Sequence, residues 1–160
     1  MKALWKDSLT LRDNLQRRMP KLARRYFDKG DKALAEGTDW EEMHQFRLQT
    51  KRFRYTLETF RELYGPGIEK RIDSLKKVQT YLGDINDCIV TAKLLKSSKD
   101  SADVHGKLEA KAAKLTEKLR QYWADTFTPA RARATWTQYL VTYACRPTSI
   151  PRSHRLAARK

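Results

Sequence analysis

Residues 41–64, EEMHQFRLQTKRFRYTLETFRELY, constrain the fold more than any other stretch. At roughly 100° per residue, Phe46, Phe53, Leu57, Phe60 and Tyr64 share one face of a helix. His44, Arg47, Lys51 and Arg54 recur at i, i+3, i+7 and i+10 along the neighbouring face. Such a helix must bury one stripe and keep a line of cations beside it. Like charges at that spacing repel, so the basic line does not serve helix stability, and an anion laid along it would relieve the repulsion. Thr38 and Glu41 make a T-x-x-E capping box at the predicted start. Gly65-Pro66-Gly67 cannot continue the helix.

The other segments repeat the apolar stripe. Residues 1–35 are predicted helical, with Leu4, Leu11, Leu15, Leu22 and Phe27 toward a core and Pro20 kinking or dividing the run. Arg17, Lys21 and Arg24 form a basic stripe there, with Arg18 and Arg25 beside it. Gly30 marks a weakening and Gly37 a turn. After Gly67, Ile68, Ile72, Leu75, Val78 and Leu82 predict an amphipathic helix flanked by Lys70, Arg71, Lys76 and Lys77. Gly83 is expected to end it, with Asp84, Asn86 and Asp87 at the start of the next. Residues 96–103 are turn-like. A helix from about Val104 to Trp123 comes next, with Val104, Leu108, Leu115, Leu119 and Tyr122 inward and Lys107, Lys111, Lys114 and Lys118 on a solvated face. Thr128-Pro129 predicts a cap and first turn for a short helix bearing Trp136, Tyr139, Leu140 and Tyr143 on one side. No stretch shows the period-2 alternation of a strand. The expected fold is all-α, an antiparallel helical bundle. Residues 1–145 are expected to form the domain and the basic residues 146–160 a disordered tail.

Charge decides the class of partner. Thirty-four Lys and Arg against nineteen acids give +15, which implies a polyanion: nucleic acid, an acidic membrane surface or a phosphate polymer. No apolar run approaches the ~20 residues of a membrane span, and MKALWKDSLTLRDN lacks the pattern of a signal peptide, so the cytoplasm is the expected location. Cys88 and Cys145 form no C-x-x-C, and His44, His105 and His154 have no metal-ligand spacing. Phosphate-loop, dinucleotide, zinc-protease and nucleophile patterns are absent. No cofactor or metal is expected. Asp84 and Asp87 suit capping and an internal ion pair better than a metal or acid/base role. Glu58, one turn beyond Arg54, is expected to hold that arginine. His44 is balanced between a structural role and anion contact, and a protonated imidazole would add a pH-dependent charge to the line.

The central segment resembles the CHAD domain family, the conserved histidine α-helical domain. Its signature H-x-x-R-x-x-x-[KR]-R-x-R-[YA] stands here as His44, Arg47, Lys51, Arg52, Arg54 and Tyr55. A second run, L-x-x-[LV]-Q-x-x-L-G-x-x-N-D, stands as Leu75, Val78, Gln79, Leu82, Gly83, Asn86 and Asp87. The likeness covers about Thr38–Leu95 and is weaker before it. It implies a four-helix repeat, here with additional N- and C-terminal helices, that binds inorganic polyphosphate without catalysis and associates with polyphosphate granules. Members typically carry two repeats around a basic channel. The histidine motif occurs once here, so a homodimer would rebuild the second half. The Glu-x-Glu-x-Lys motif of triphosphate-tunnel relatives is absent. The expected site joins His44, Arg47, Lys51, Arg52, Arg54 and Tyr55 with Arg17, Lys21 and Arg24, extended by Lys70, Arg71, Lys76 and Lys77. The alternatives are an RNA- or DNA-binding helical protein, with Trp136, Tyr139 and Tyr143 stacking on bases, and a metal-dependent polyphosphate enzyme using Asp84 or Asp87.

Overall fold

The computed structural model describes residues 5–65, 67–95 and 102–145. Among them there are helices and no strands: α1 (Leu11–Ala33), α2 (Trp40–Thr59), a short 3-10 turn (Arg61–Leu63), α3 (Gly67–Leu95), α4 (Ala102–Thr126) and α5 (Ala130–Thr142). In space α5 lies against α1, α1 against α2, α2 against α3 and α3 against α4. The all-α bundle is as the stripes predict. Leu4, Pro66, most of the 96–103 turn and the 146–160 tail, His154 included, lie outside the described residues.

The helix α1 starts later than expected. Thr10 caps it by accepting the Asp13 N–H at 3.1 Å, and Leu11 is exposed. Asn14, only 3% exposed, exchanges two 3.0 Å hydrogen bonds with the Lys6 backbone and ties residues 6–10 to the first turn. Pro20 does not divide the helix. Its ring is buried, and packing offsets the lost backbone bond. The Gln16 amide one turn earlier donates to the Val141 carbonyl of α5 at 2.9 Å.

The helix α2 is capped one residue later than predicted. Asp39 accepts the Glu42 N–H at 2.8 Å. The Thr38 hydroxyl instead donates to the Lys32 and Ala35 carbonyls at the end of α1. Thr38-x-x-Glu41 and Asp39-x-x-Glu42 are overlapping signals, and the α1 terminus claims the threonine. Gly37, at φ 74°, makes the turn between them.

Gly83 does not end a helix: α3 runs unbroken to Leu95. Asp84 and Asp87 are therefore exposed mid-helix residues, not caps. A glycine here costs about 1 kcal/mol, less than the buried stripe on both sides returns, from Val78 and Leu82 to Ile85, Cys88 and Ala92. The helix α4 begins earlier than predicted and leaves Val104 exposed. Lys107, Lys111, Lys114 and Lys118 are all exposed, as a solvated face requires. In α5, Pro129 is the capping residue, and Thr128 makes no cap bond to the helix.

The core is aromatic at its centre. Tyr26 and Phe27 of α1 meet Phe46 and Phe53 of α2, Trp123 of α4, Phe127 and Trp136. Trp136, Tyr139 and Leu140 are buried in this protein's own bundle. Most of the aromatic face of α5 is thus spent on its own bundle. Tyr143, at 42% exposure, stands outside.

Cations also staple the bundle. Arg120 donates to the Leu34 and Ala35 carbonyls beyond α1, and Arg133 bridges the Phe127 carbonyl and Asp31. The Asp31 carboxylate also accepts the Trp123 indole N–H at 3.0 Å. Burial pushes Asp31 up, but the hydrogen bonds from Arg133 and Trp123 and the Arg133 charge hold it below the usual carboxylate value. A depressed carboxylate stabilises the fold above its unfolded value, near ~3.9, and loses that contribution as pH falls through the folded one. The side chain is 42% exposed, so Asp31→Asn is expected to cost only about 1 kcal/mol at pH 7. Thermal melts should show the gap to the parent narrowing by pH 3. A constant gap would assign the loss to the asparagine itself.

Candidate anion-binding site

The side chains of α2 divide into three lines. Met43, Phe46, Thr50, Phe53 and Leu57 are buried. His44, Arg47, Lys51, Arg54 and Glu58 each come one residue after one of these, so they stand about 100° round the helix from the core. Gln45, Gln49, Arg52 and Thr56 precede a buried residue by one and stand on the opposite flank. Helix α1 occupies that second flank: Leu22, Arg25, Tyr26 and Lys29 share a hollow with Gln49, Arg52, Phe53 and Thr56. The His44–Arg54 line is thereby left on the flank away from α1.

Within the line, Arg54 is held. Its guanidinium bonds Glu58 at 2.7 Å and lies 4.5 Å from the centre of the Tyr55 ring. The arginine side chain is 15% exposed, whereas Tyr55 is 51% exposed. The tyrosine of the motif therefore orients an arginine. Arg47 and Lys51 are half-buried and make no ion pair among the described residues. The Nε atoms of Arg47 and Arg54 are buried without a hydrogen-bond partner. A charged donor withdrawn from water and left unpaired is costly. The ring of His44 sits 6.0 Å from that of Trp40.

The remaining expected site residues are not brought to this line. Arg52 is exposed on the α1 flank. Arg17 and Lys21 line a hollow with Trp5, Lys6, Arg18 and Arg25, and Arg24 is exposed on α1. Lys70 and Arg71 border a hollow facing α5, beside Arg131 and Trp136. Arg71 is a strut: it donates to the Gly67 and Thr135 carbonyls and stacks 3.7 Å from the Tyr139 ring centre. Lys77 lies over Tyr122 of α4, and Lys76 pairs with Asp73 at 3.0 Å. A single groove formed by the stripes of α1, α2 and α3 is thus not what the bundle builds.

The second motif supplies mainly core. Leu75, Val78 and Leu82 are buried, and the Asn86 amide donates to the exposed Asp87 at 3.2 Å. Among the described residues, no group of three or more His, Cys, Asp or Glu side chains comes together as a metal site would need. No described helix is long and apolar enough to cross a membrane. Lys29 is a cation that the stripes of the sequence did not single out; its signal is its place one turn beyond Arg25.

The family model described as CHAD domain matches residues 2–96. No curated protein and no solved structure matches the chain.

Proposed function

Because the chain belongs to the CHAD domain family, whose domains in general bind polyphosphate, we propose that it binds inorganic polyphosphate along the His44–Arg47–Lys51–Arg54 line of α2, without catalysis. The observation that carries this reading is the electrostatic state of that line. Arg47 and Lys51 have no acidic partner among the described residues, and Arg54 is aimed by Glu58 and Tyr55. Phosphate oxygens are the acceptors such arginines suit. Polyphosphate has about one negative charge per phosphate and no bases, so a row of cations recognises it without any sequence-reading element. On this reading the protein associates with polyphosphate granules.

Nucleic acid is the competing polyanion. The burial of Trp136 and Tyr139 weighs against that reading, which leaned on them together with Tyr143, since Tyr143 is left as the one exposed ring of the three. A competition assay separates the two. Labelled long-chain polyphosphate is bound, then RNA and triphosphate are titrated at matched phosphate concentration and fixed salt. RNA is expected to displace it only in excess, and triphosphate more weakly still, since it reaches fewer cations. Affinity should fall steeply with salt, by analogy with counterion release. Displacement by RNA at equal phosphate would replace the polyphosphate reading. Phosphate released in the presence of a divalent metal would establish an enzyme instead.

A further inference from the structure

We propose that the groove along α1, walled by residues 5–6 at one end and by α2 at the other, is a separate docking site for an acidic segment of a partner protein, one carrying apolar side chains. Two adjoining hollows of about 270 and 180 Å³ share Leu22 and Arg25. Their rim holds Arg18, Lys21, Arg25, Lys29 and Arg52, with Lys6 at one end, and among the described residues no carboxylate lines either one. Their floors are apolar, made by Trp5 and Leu22 in the first and by Leu22, Tyr26 and Phe53 in the second. From Arg18 to Lys29 the rim runs along α1 for about 17 Å, some three turns of a docked helix. Past Lys29 the surface changes sign at Glu41 and Glu42, which ends the footprint of an acidic partner.

The two halves of this surface choose the occupant. A phosphate chain would match the rim but gains nothing from an apolar floor. Nucleic acid would need several exposed ring faces in a row, whereas Tyr26 and Phe53 are buried and Trp5 alone is exposed, at the end away from α2. An acidic peptide with apolar side chains matches both, its carboxylates on the rim cations and its apolar groups on Leu22. The chain's own residues 146–160 carry basic groups and no acid, so they do not complement the rim. The groove lies on the flank of α2 opposite the His44–Arg54 line, and its occupancy does not depend on whether that line binds polyphosphate.

The test uses a fluorescein-labelled peptide with glutamates and leucines at helical spacing, read by anisotropy on the full chain. A matched peptide with every leucine replaced by glutamine is expected to bind at least tenfold more weakly. The double variant Arg25→Glu/Lys29→Glu should lose at least tenfold for the leucine peptide and less than threefold for long-chain polyphosphate. Arg47→Glu should show the reverse. Both altered positions in the double variant are exposed, and circular dichroism checks that it folds. Equal binding of the two peptides would overturn the proposal, because the groove would then read charge alone. Unchanged peptide binding by the double variant would overturn it too, as would an equal loss of polyphosphate.

Discussion

Replacing Arg47 and Arg54 together by glutamate is expected to abolish polyphosphate binding while leaving the bundle folded. Each charge-assisted contact is worth about 1.5–3 kcal/mol, a factor of about ten to a hundred in affinity, and reversal adds repulsion to the loss. The residues differ in what else they hold. Arg47 has no ion-pair partner among the described residues, so its substitution tests the anion contact most directly. Arg54→Glu would also place a carboxylate one turn from Glu58, whose arginine partner it removes, at a few tenths of a kcal/mol in helix stability. Arg47→Gln removes the charge and the guanidinium fork without reversing the sign, so a loss of about tenfold there reads the lost contact free of added repulsion. Tyr55→Ala should act through Arg54, which it orients, with a smaller effect than either arginine. Titration of labelled polyphosphate, with circular dichroism on each variant, reads all of these. A folded Arg47→Glu that binds as tightly as the parent places the site elsewhere.

Gly30→Ala is expected to be the most damaging small substitution in the core. Alanine normally improves a helix by about 1 kcal/mol over glycine. Here an added Cβ would overlap Cζ2 and Cη2 of Trp123 and lie 2.8 Å from Cε2. The indole has little freedom to yield. It bonds Asp31, stacks 4.5 Å from Phe127 and packs edge-on against Phe46 and Tyr26. Overpacking of this kind costs about 1–3 kcal/mol, and each disturbed aromatic pair adds about 0.5–1.5 kcal/mol. With one pair disturbed, those two terms less the helix gain leave a net loss of about 0.5–3.5 kcal/mol, and each further pair adds to it. Chemical denaturation measures it. The effect should shrink in a Trp123→Phe background, where the smaller ring leaves room, so the two substitutions are non-additive. A Gly30→Ala protein as stable as the parent would show that α1 and α4 part without penalty.

Sequence alone determined the features that arise from period and local chemistry. The stripes of α1, α2 and α3 define amphipathic helices because burying an apolar face depends on spacing along one chain. The His44–Arg54 line was legible for the same reason: its position beside Phe46 and Phe53 is a property of a single helix. Glu58 was legible as the Arg54 partner because the two stand one turn apart. Local signals failed where tertiary contacts compete with them. Thr38 has the chemistry of a cap, but the end of α1 claims its hydroxyl. Gly83 has the chemistry of a stop, but a buried stripe on both sides carries the helix through. Gly30 reads as a weak point in α1, yet its missing side chain is the space that Trp123 fills. Tertiary structure alone decided which stripes face each other. A helix has two flanks beside its buried face, and periodicity is blind to which neighbour takes which. By seating α1 on the Gln49–Arg52–Thr56 flank, the bundle gathers Arg17 and Lys21 around Arg25 and joins Arg25 and Lys29 to Arg52 instead of to Arg47 and Arg54. It turns Arg71 into a strut for α5. Pairing of that kind depends on the summed fit of side chains far apart in the chain, as Tyr26 against Trp123 and Phe27 against Trp136 illustrate, and no short-range pattern encodes that sum.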